Sequence, residues 1–77
     1  MGRGRHDEGK EARSAILIYV RAHIAEHGYP PTIREIAAGI GRSASNTAYH
    51  LRMLDQDGEI IRTPGTARGL RLLDPAE

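Results

Sequence analysis

The 77-residue chain has no cysteine, no tryptophan and no phenylalanine. Without cysteine it has neither disulfide staples nor cysteine-ligated zinc. The absence also suits a reducing compartment. No apolar run approaches the ~20 residues that span a bilayer, so no membrane partner is expected. The basic start, Met1-Gly2-Arg3-Gly4-Arg5-His6-Asp7, has no apolar segment behind it and does not read as a secretory signal. The charges nearly cancel, with 11 Lys+Arg against 10 Asp+Glu and a net charge of +1. Total charge therefore says little about partners, and its distribution has to be read instead. A chain this short makes one small domain and buries only about 60% of its unfolded surface. Its 39% hydrophobic content is too high for a disordered chain and too low for a membrane protein.

Residues 1–9 have no periodic apolar pattern and read as a mobile basic arm. A first helix is expected from about Lys10 to His27. Ala15, Ile16, Tyr19, Val20, His23, Ile24 and His27 fall at helical spacing on one stripe, and Leu17 and Ile18 widen it, which predicts burial on more than one side. Gly28 stops this helix and Pro30-Pro31 prevent its continuation. Thr32-Ile33-Arg34-Glu35 is a capping box, with Thr32 as N-cap and Glu35 reaching back to its amide. The second helix is short. Ile33, Ile36, Ala37 and Ile40 point inward and Gly41 ends it. The third follows a tight turn, capped by Ser43 or Ser45, with Thr47, His50, Leu51 and Leu54 inside and an end near Asp57-Gly58.

The pattern then turns extended. Residues 59–63 and 68–73 read as two paired strands around the turn Pro64-Gly65-Thr66-Ala67, with Leu70 and Leu72 on one face and Arg71 on the other. Residues 74–77 read as a frayed tail. The expected fold is a small α+β domain over 10–73, three helices followed by a hairpin, on the helix-turn-helix plan with a wing.

This plan leaves Ser43, Ser45, Asn46, Tyr49 and Arg52 on the outer side of the third helix. Asn suits adenine, Arg suits guanine or phosphate, and Ser and Tyr suit phosphate or base. No acid interrupts that face until Asp55. Ala37 is small where the third helix crosses it, and Gly41 stands where the chain reverses at positive φ. The hairpin adds Arg62, Arg68 and Arg71 with no acid between Ile60 and Leu73, which reads as a wing gripping backbone or minor groove. Arg68 is the first choice there, with the amide of Gly65 and the hydroxyl of Thr66 at the tip. Arg42 and Arg34 are candidates for phosphate, and Arg3 and Arg5 for a minor groove.

The runs Gly28-Tyr29-Pro30-Pro31-Thr32-Ile33-Arg34-Glu35-Ile36-Ala37, Gly58-Glu59-Ile60-Ile61-Arg62 and Gly65-Thr66-Ala67-Arg68-Gly69-Leu70-Arg71-Leu72-Leu73 resemble the amino-terminal DNA-binding domain of the LexA repressors, a winged helix-turn-helix. The likeness covers about Lys10 to Leu73. It implies a third helix lying in the major groove, with Ser43, Ser45, Asn46 and Tyr49 at its contact positions, and a wing touching the backbone at 65–68. Two features depart from the family: the turn before the third helix is one residue shorter, and the recognition residues differ, so no operator sequence carries over. The likeness stops where the family's self-cleaving peptidase domain begins, and no Ser/Lys dyad matches. Ala38-Gly39 lies inside the second helix and is not a cleavage site.

The expected function is that of a sequence-specific duplex-DNA-binding transcriptional regulator, a repressor, paired as a homodimer on a two-fold operator and located in the cytoplasm at the nucleoid. The alternative is a winged helix used as a protein-interaction adaptor. The face of Ser, Ser, Asn, Tyr and Arg argues against it, because protein interfaces favour aliphatic and aromatic side chains. His23-Ile24-Ala25-Glu26-His27 matches the H-x-x-E-H pattern of zinc peptidases, but too little chain remains for a third ligand and a cleft. No nucleophile has a base beside it and no phosphate loop is present. Neither an enzyme, a cofactor nor a small-molecule substrate is expected.

Overall fold

Thr32 sets the frame of the fold. It adopts extended backbone angles (φ −80°, ψ 166°), its Oγ1 accepts from the Glu35 amide at 3.1 Å, and its own amide donates to Glu35 Oε1 at 2.9 Å. This reciprocal pair satisfies two amides that a helix start otherwise leaves unpaired. The computed structural model describes residues 3–73, with side chains from Gly9 onward. In chain order the elements are α1 (Arg3–His27), α2 (Ile33–Ile40), α3 (Ala44–Gln56), β1 (Ile60–Arg62) and β2 (Leu70–Leu72).

The core is one cluster shared by all five. α1 contributes Ile16 and Val20, α2 Ile36, α3 Leu51 and Leu54, β1 Ile60 and β2 Leu70, with Leu17, Tyr19, Ile24, Ile33, Ile40 and Leu72 packed around them. The strands pair antiparallel with Ile60 opposite Leu72 and Arg62 opposite Leu70. Period-two alternation then puts Ile60, Leu70 and Leu72 on the face that covers the helices. α3 buries Thr47, His50, Leu51 and Leu54, the four residues expected inside.

Three expectations need correction. α1 starts at Arg3 rather than near Lys10, so the arm predicted over residues 1–9 is helical from Arg3. Extending a formed helix costs far less than starting one, and Lys10-Glu11-Ala12-Arg13 are good helix formers, so the helix continues upstream through Gly9. The side chains of Arg3 and Arg5 and the tail at 74–77 lie outside the described residues. Ile18 does not widen the buried stripe: it is 69% exposed, while Ala12, Ile16 and Val20, one turn apart, carry the burial. The strands are also shorter than 59–63 and 68–73. Pro64 has no N–H to give a ladder. Beyond Arg62 the chain instead closes a loop, with the Thr63 amide on the Gly69 carbonyl at 2.7 Å and the Gly69 amide on the Thr66 carbonyl at 3.1 Å.

Candidate nucleic-acid interface

Gly41 turns α2 into α3. It takes the left-handed conformation (φ 73°), and the Arg42 amide reaches back to the Ala37 carbonyl at 3.0 Å. A side chain at that φ is strained, which fixes glycine there. Ser43 is the N-cap of α3, its Oγ accepting from the Asn46 amide at 3.0 Å. Ser43 and not Ser45 therefore does the capping, and its hydroxyl proton stays available to an acceptor.

With Thr47, His50, Leu51 and Leu54 turned inward, the opposite side of α3 faces out. Ser45 and Arg52 are exposed, Tyr49 is 52% exposed, and Asn46 is half-buried. Arg42, also exposed, donates from Nη1 to Asn46 Oδ1 at 3.0 Å. Among the described residues the Asn46 amide NH2 and a second lone pair on Oδ1 have no partner, and bidentate pairing to an adenine edge uses both groups. The Tyr49 ring meets the His50 ring edge-on at 5.1 Å, which orients it on the helix. His50 itself is buried, 3.5 Å from Arg13 Nη1 on α1. Burial, followed by the charges of Arg13 and Arg42, lowers its pKa below the usual 6.5. It belongs to the α1–α3 contact, as the inner position of the third helix implied.

The wing is arranged differently from expectation. Gly65 and Thr66 are exposed at the tip of the 63–69 loop. Arg68, expected to reach outward beside them, turns back onto the protein. Its Nη1 donates to Glu35 Oε1 and to the Pro30 carbonyl, both at 2.9 Å, and its Nη2 to Glu35 Oε2 at 3.0 Å. Its guanidinium carbon stands 4.6 Å from the centre of the Tyr29 ring. These bonds to Arg68, and then the Thr32 amide, hold the Glu35 carboxyl down at about 2, and the same pairing raises the pKa of Arg68. Glu35 was legible as a capping residue. Its second partner, 33 positions away, was not.

Arg71 is exposed. Arg62 is half-buried and lines a groove of about 660 Å³ with Ile33, Arg34, Pro64, Gly65 and Thr66, between the wing and the first turn of α2. Of the H-x-x-E-H residues, His23 and Ile24 are half-buried, and Ala25, Glu26 and His27 are exposed. The His23 and His27 rings lie 4.3 Å apart, and His23 Nδ1 donates to the Tyr29 carbonyl at 2.9 Å. Among the described residues no three His, Cys, Asp or Glu side chains come together as metal ligands, and no helix is long and apolar enough to cross a membrane.

Three helices, a glycine-turned α2–α3 pair, a polar outward face on α3 and a two-stranded wing define a winged helix-turn-helix. A family profile described as the LexA DNA binding domain matches residues 10–69. The chain belongs to that family. It is 46% identical over 66 residues to the LexA repressor of Marinobacter nauticus, covering 84% of this chain and 33% of that protein. It is 44% identical over 64 residues to LexA repressor 2 of Pseudomonas putida, covering 82% and 32%, and 47% identical over 58 residues to the LexA repressor of Hahella chejuensis, covering 74% and 29%. The chain thus spans about a third of the length of these curated relatives, and the shared third is their DNA-binding domain.

Proposed function

We propose that this domain reads duplex DNA by laying the outer face of α3 in the major groove, and that it represses transcription by occupying an operator and blocking polymerase. The observation that carries the reading is that face: Ser45, Asn46, Tyr49 and Arg52 point outward together, with no acid before Asp55. Asn46 and Tyr49 read base edges. Arg42 and the Ser43 hydroxyl hold phosphate, and the Gly65 amide and Thr66 hydroxyl meet the backbone from the wing. The relatives above carry the name repressor, which supports the regulatory role. One module of this size buries roughly 600–1,000 Å² on DNA, too little for tight binding alone, so two copies pair on a two-fold operator. The place of action is then the bacterial chromosome, in the cytoplasm.

The test is selection of bound duplexes from a random pool, followed by affinity measurements on the enriched site and on random duplex. Asn46→Ala and Tyr49→Ala should each weaken the enriched site by roughly 5- to 100-fold and leave random duplex nearly unchanged. Equal losses on both would refute base reading by these two residues.

A further inference from the structure

Arg68 ties the wing loop to two neighbouring segments more than 30 positions upstream: the Tyr29-Pro30 link after α1 and the first turn of α2. Its three hydrogen bonds use three of the five guanidinium donors, two of them as a fork on both Glu35 oxygens. The Tyr29 ring covers the guanidinium at 4.6 Å. Glu35 is fixed in turn by the Thr32 amide, and His23 Nε2 stands 3.8 Å from the same Oε1. Among the described residues, no other side chain of the 63–69 loop hydrogen-bonds to the helices. To reach a phosphate, Arg68 would have to give up the fork, the carbonyl and the ring. It would also leave the Glu35 carboxylate without its guanidinium partner beside a polyanion.

We propose that Arg68 is a positioning residue for DNA binding, which acts through Glu35 to hold the wing against α2 so that Gly65 and Thr66 meet the duplex already placed. It does not itself touch phosphate. The proposal rests on the DNA-binding reading above and adds a role that the outward-facing residues do not supply. Its physical content is preorganisation: a loop ordered before binding loses less entropy on binding.

The experiment measures duplex affinity of the 77-residue chain by fluorescence anisotropy over a salt series, for wild type, Arg68→Lys, Arg68→Ala, Glu35→Gln and the Arg68→Lys/Glu35→Gln double variant. Arg68→Lys keeps the charge but loses the fork, and affinity should fall roughly 3- to 10-fold. Glu35→Gln removes an acid, which by charge alone would tighten binding. It should instead weaken binding by a similar factor. The double variant should be no worse than either single variant, because both break one link. The slope of log affinity against log salt should match wild type throughout. Amide exchange at Thr63 and Gly69 should quicken while Leu51 and Leu54 stay protected.

A phosphate contact predicts the opposite pattern: Arg68→Lys close to wild type, Glu35→Gln neutral or tighter, and a slope lowered by about 0.9 in Arg68→Ala. That result overturns the proposal. A merely structural role would lower the melting temperature and leave the affinity of folded protein unmoved, which overturns it too. Should Arg68→Lys fail to fold, Glu35→Gln decides alone, since glutamine keeps the acceptor for the Thr32 amide. If wild type binds no duplex even at low salt, the DNA reading fails and this proposal with it. If wild type binds but the variants follow the phosphate pattern, only the role of Arg68 fails.

Discussion

Gly39 sits within α2, where an alanine would ordinarily stabilise a helix by about 1 kcal/mol. Here the space is taken. A Cβ built on Gly39 would stand 2.2 Å from Tyr19 Cε2 and 2.8 Å from its Cζ, and a ring cannot yield as the end of a flexible chain can. Tyr19 packs against the core from α1, so displacing it loosens the α1–α2 contact. Overpacking of this kind costs about 1–3 kcal/mol and outweighs the propensity gain. Gly39→Ala should therefore lower stability by about 1 kcal/mol and the melting temperature by roughly 4–8 °C. In a Tyr19→Leu background the same change should be neutral or stabilising. A higher melting temperature for Gly39→Ala alone would show that the ring moves freely. The contrast with Gly41 shows where sequence reading stops at this scale. Gly41 follows a short apolar stripe and precedes a cap, so its neighbours along the chain declare its role. The reason for Gly39 lies 20 positions upstream, and that for Arg68 33 positions upstream, where no periodicity or spacing points.

Between elements, the same division holds. The capping box, the inner stripes of α2 and α3, the hairpin pairing and the outward placement of Ser45, Tyr49 and Arg52 were all legible, because each follows from contacts within a few residues. The start of α1 was not, because helix propagation depends on the strength of the segment below it rather than on a local signal. The α1–α3 contact is likewise long-range: Arg13 Nη1 lies 3.5 Å from His50 Nδ1 and 3.7 Å from Met53 Sδ. It makes stability depend on pH. The folded state disfavours charged His50, so its pKa lies below the unfolded value near 6.5. Below pH 6.5 the unfolded chain binds the extra proton, and stability must fall as pH falls. Glu35 acts lower down. Its pKa drops from 4.5 to about 2, so the stability it contributes is complete above pH 4.5 and disappears toward pH 2. Denaturant melts from pH 7 to pH 2 should show both losses. His50→Gln should flatten the loss just below pH 6.5 and keep the acid one. If His50→Gln loses stability as steeply as wild type between pH 6.5 and 5, the contact does not carry the proton linkage.

For the molecule as a whole, a net charge of +1 hides an uneven layout. Arg42, Ser43, Ser45 and Asn46 stand at the start of α3, and Tyr49 and Arg52 continue the polar face along it. Asp55, Asp57 and Glu59 are exposed at its far end and at the base of the hairpin. Thirteen helical residues separate the two ends by roughly 20 Å, about two and a half times the Debye length of about 8 Å at physiological salt. The acids thus do little to repel phosphates approaching the other end, and a nearly neutral domain can still bind a polyanion. The small total charge has a second consequence, because two copies placed on adjacent half-sites would repel each other only weakly. Combined with the limited area one module buries, this favours paired occupancy. Sites selected from a random pool should then contain inverted half-sites whose centres are about 10–10.5 base pairs apart, or a multiple of that. Sedimentation of the complex should give two chains per duplex, and scrambling one half-site should weaken binding of the other. Enrichment of a single asymmetric element, saturated by one chain, would mean that this domain reads DNA as a monomer and that the two-fold reading is wrong.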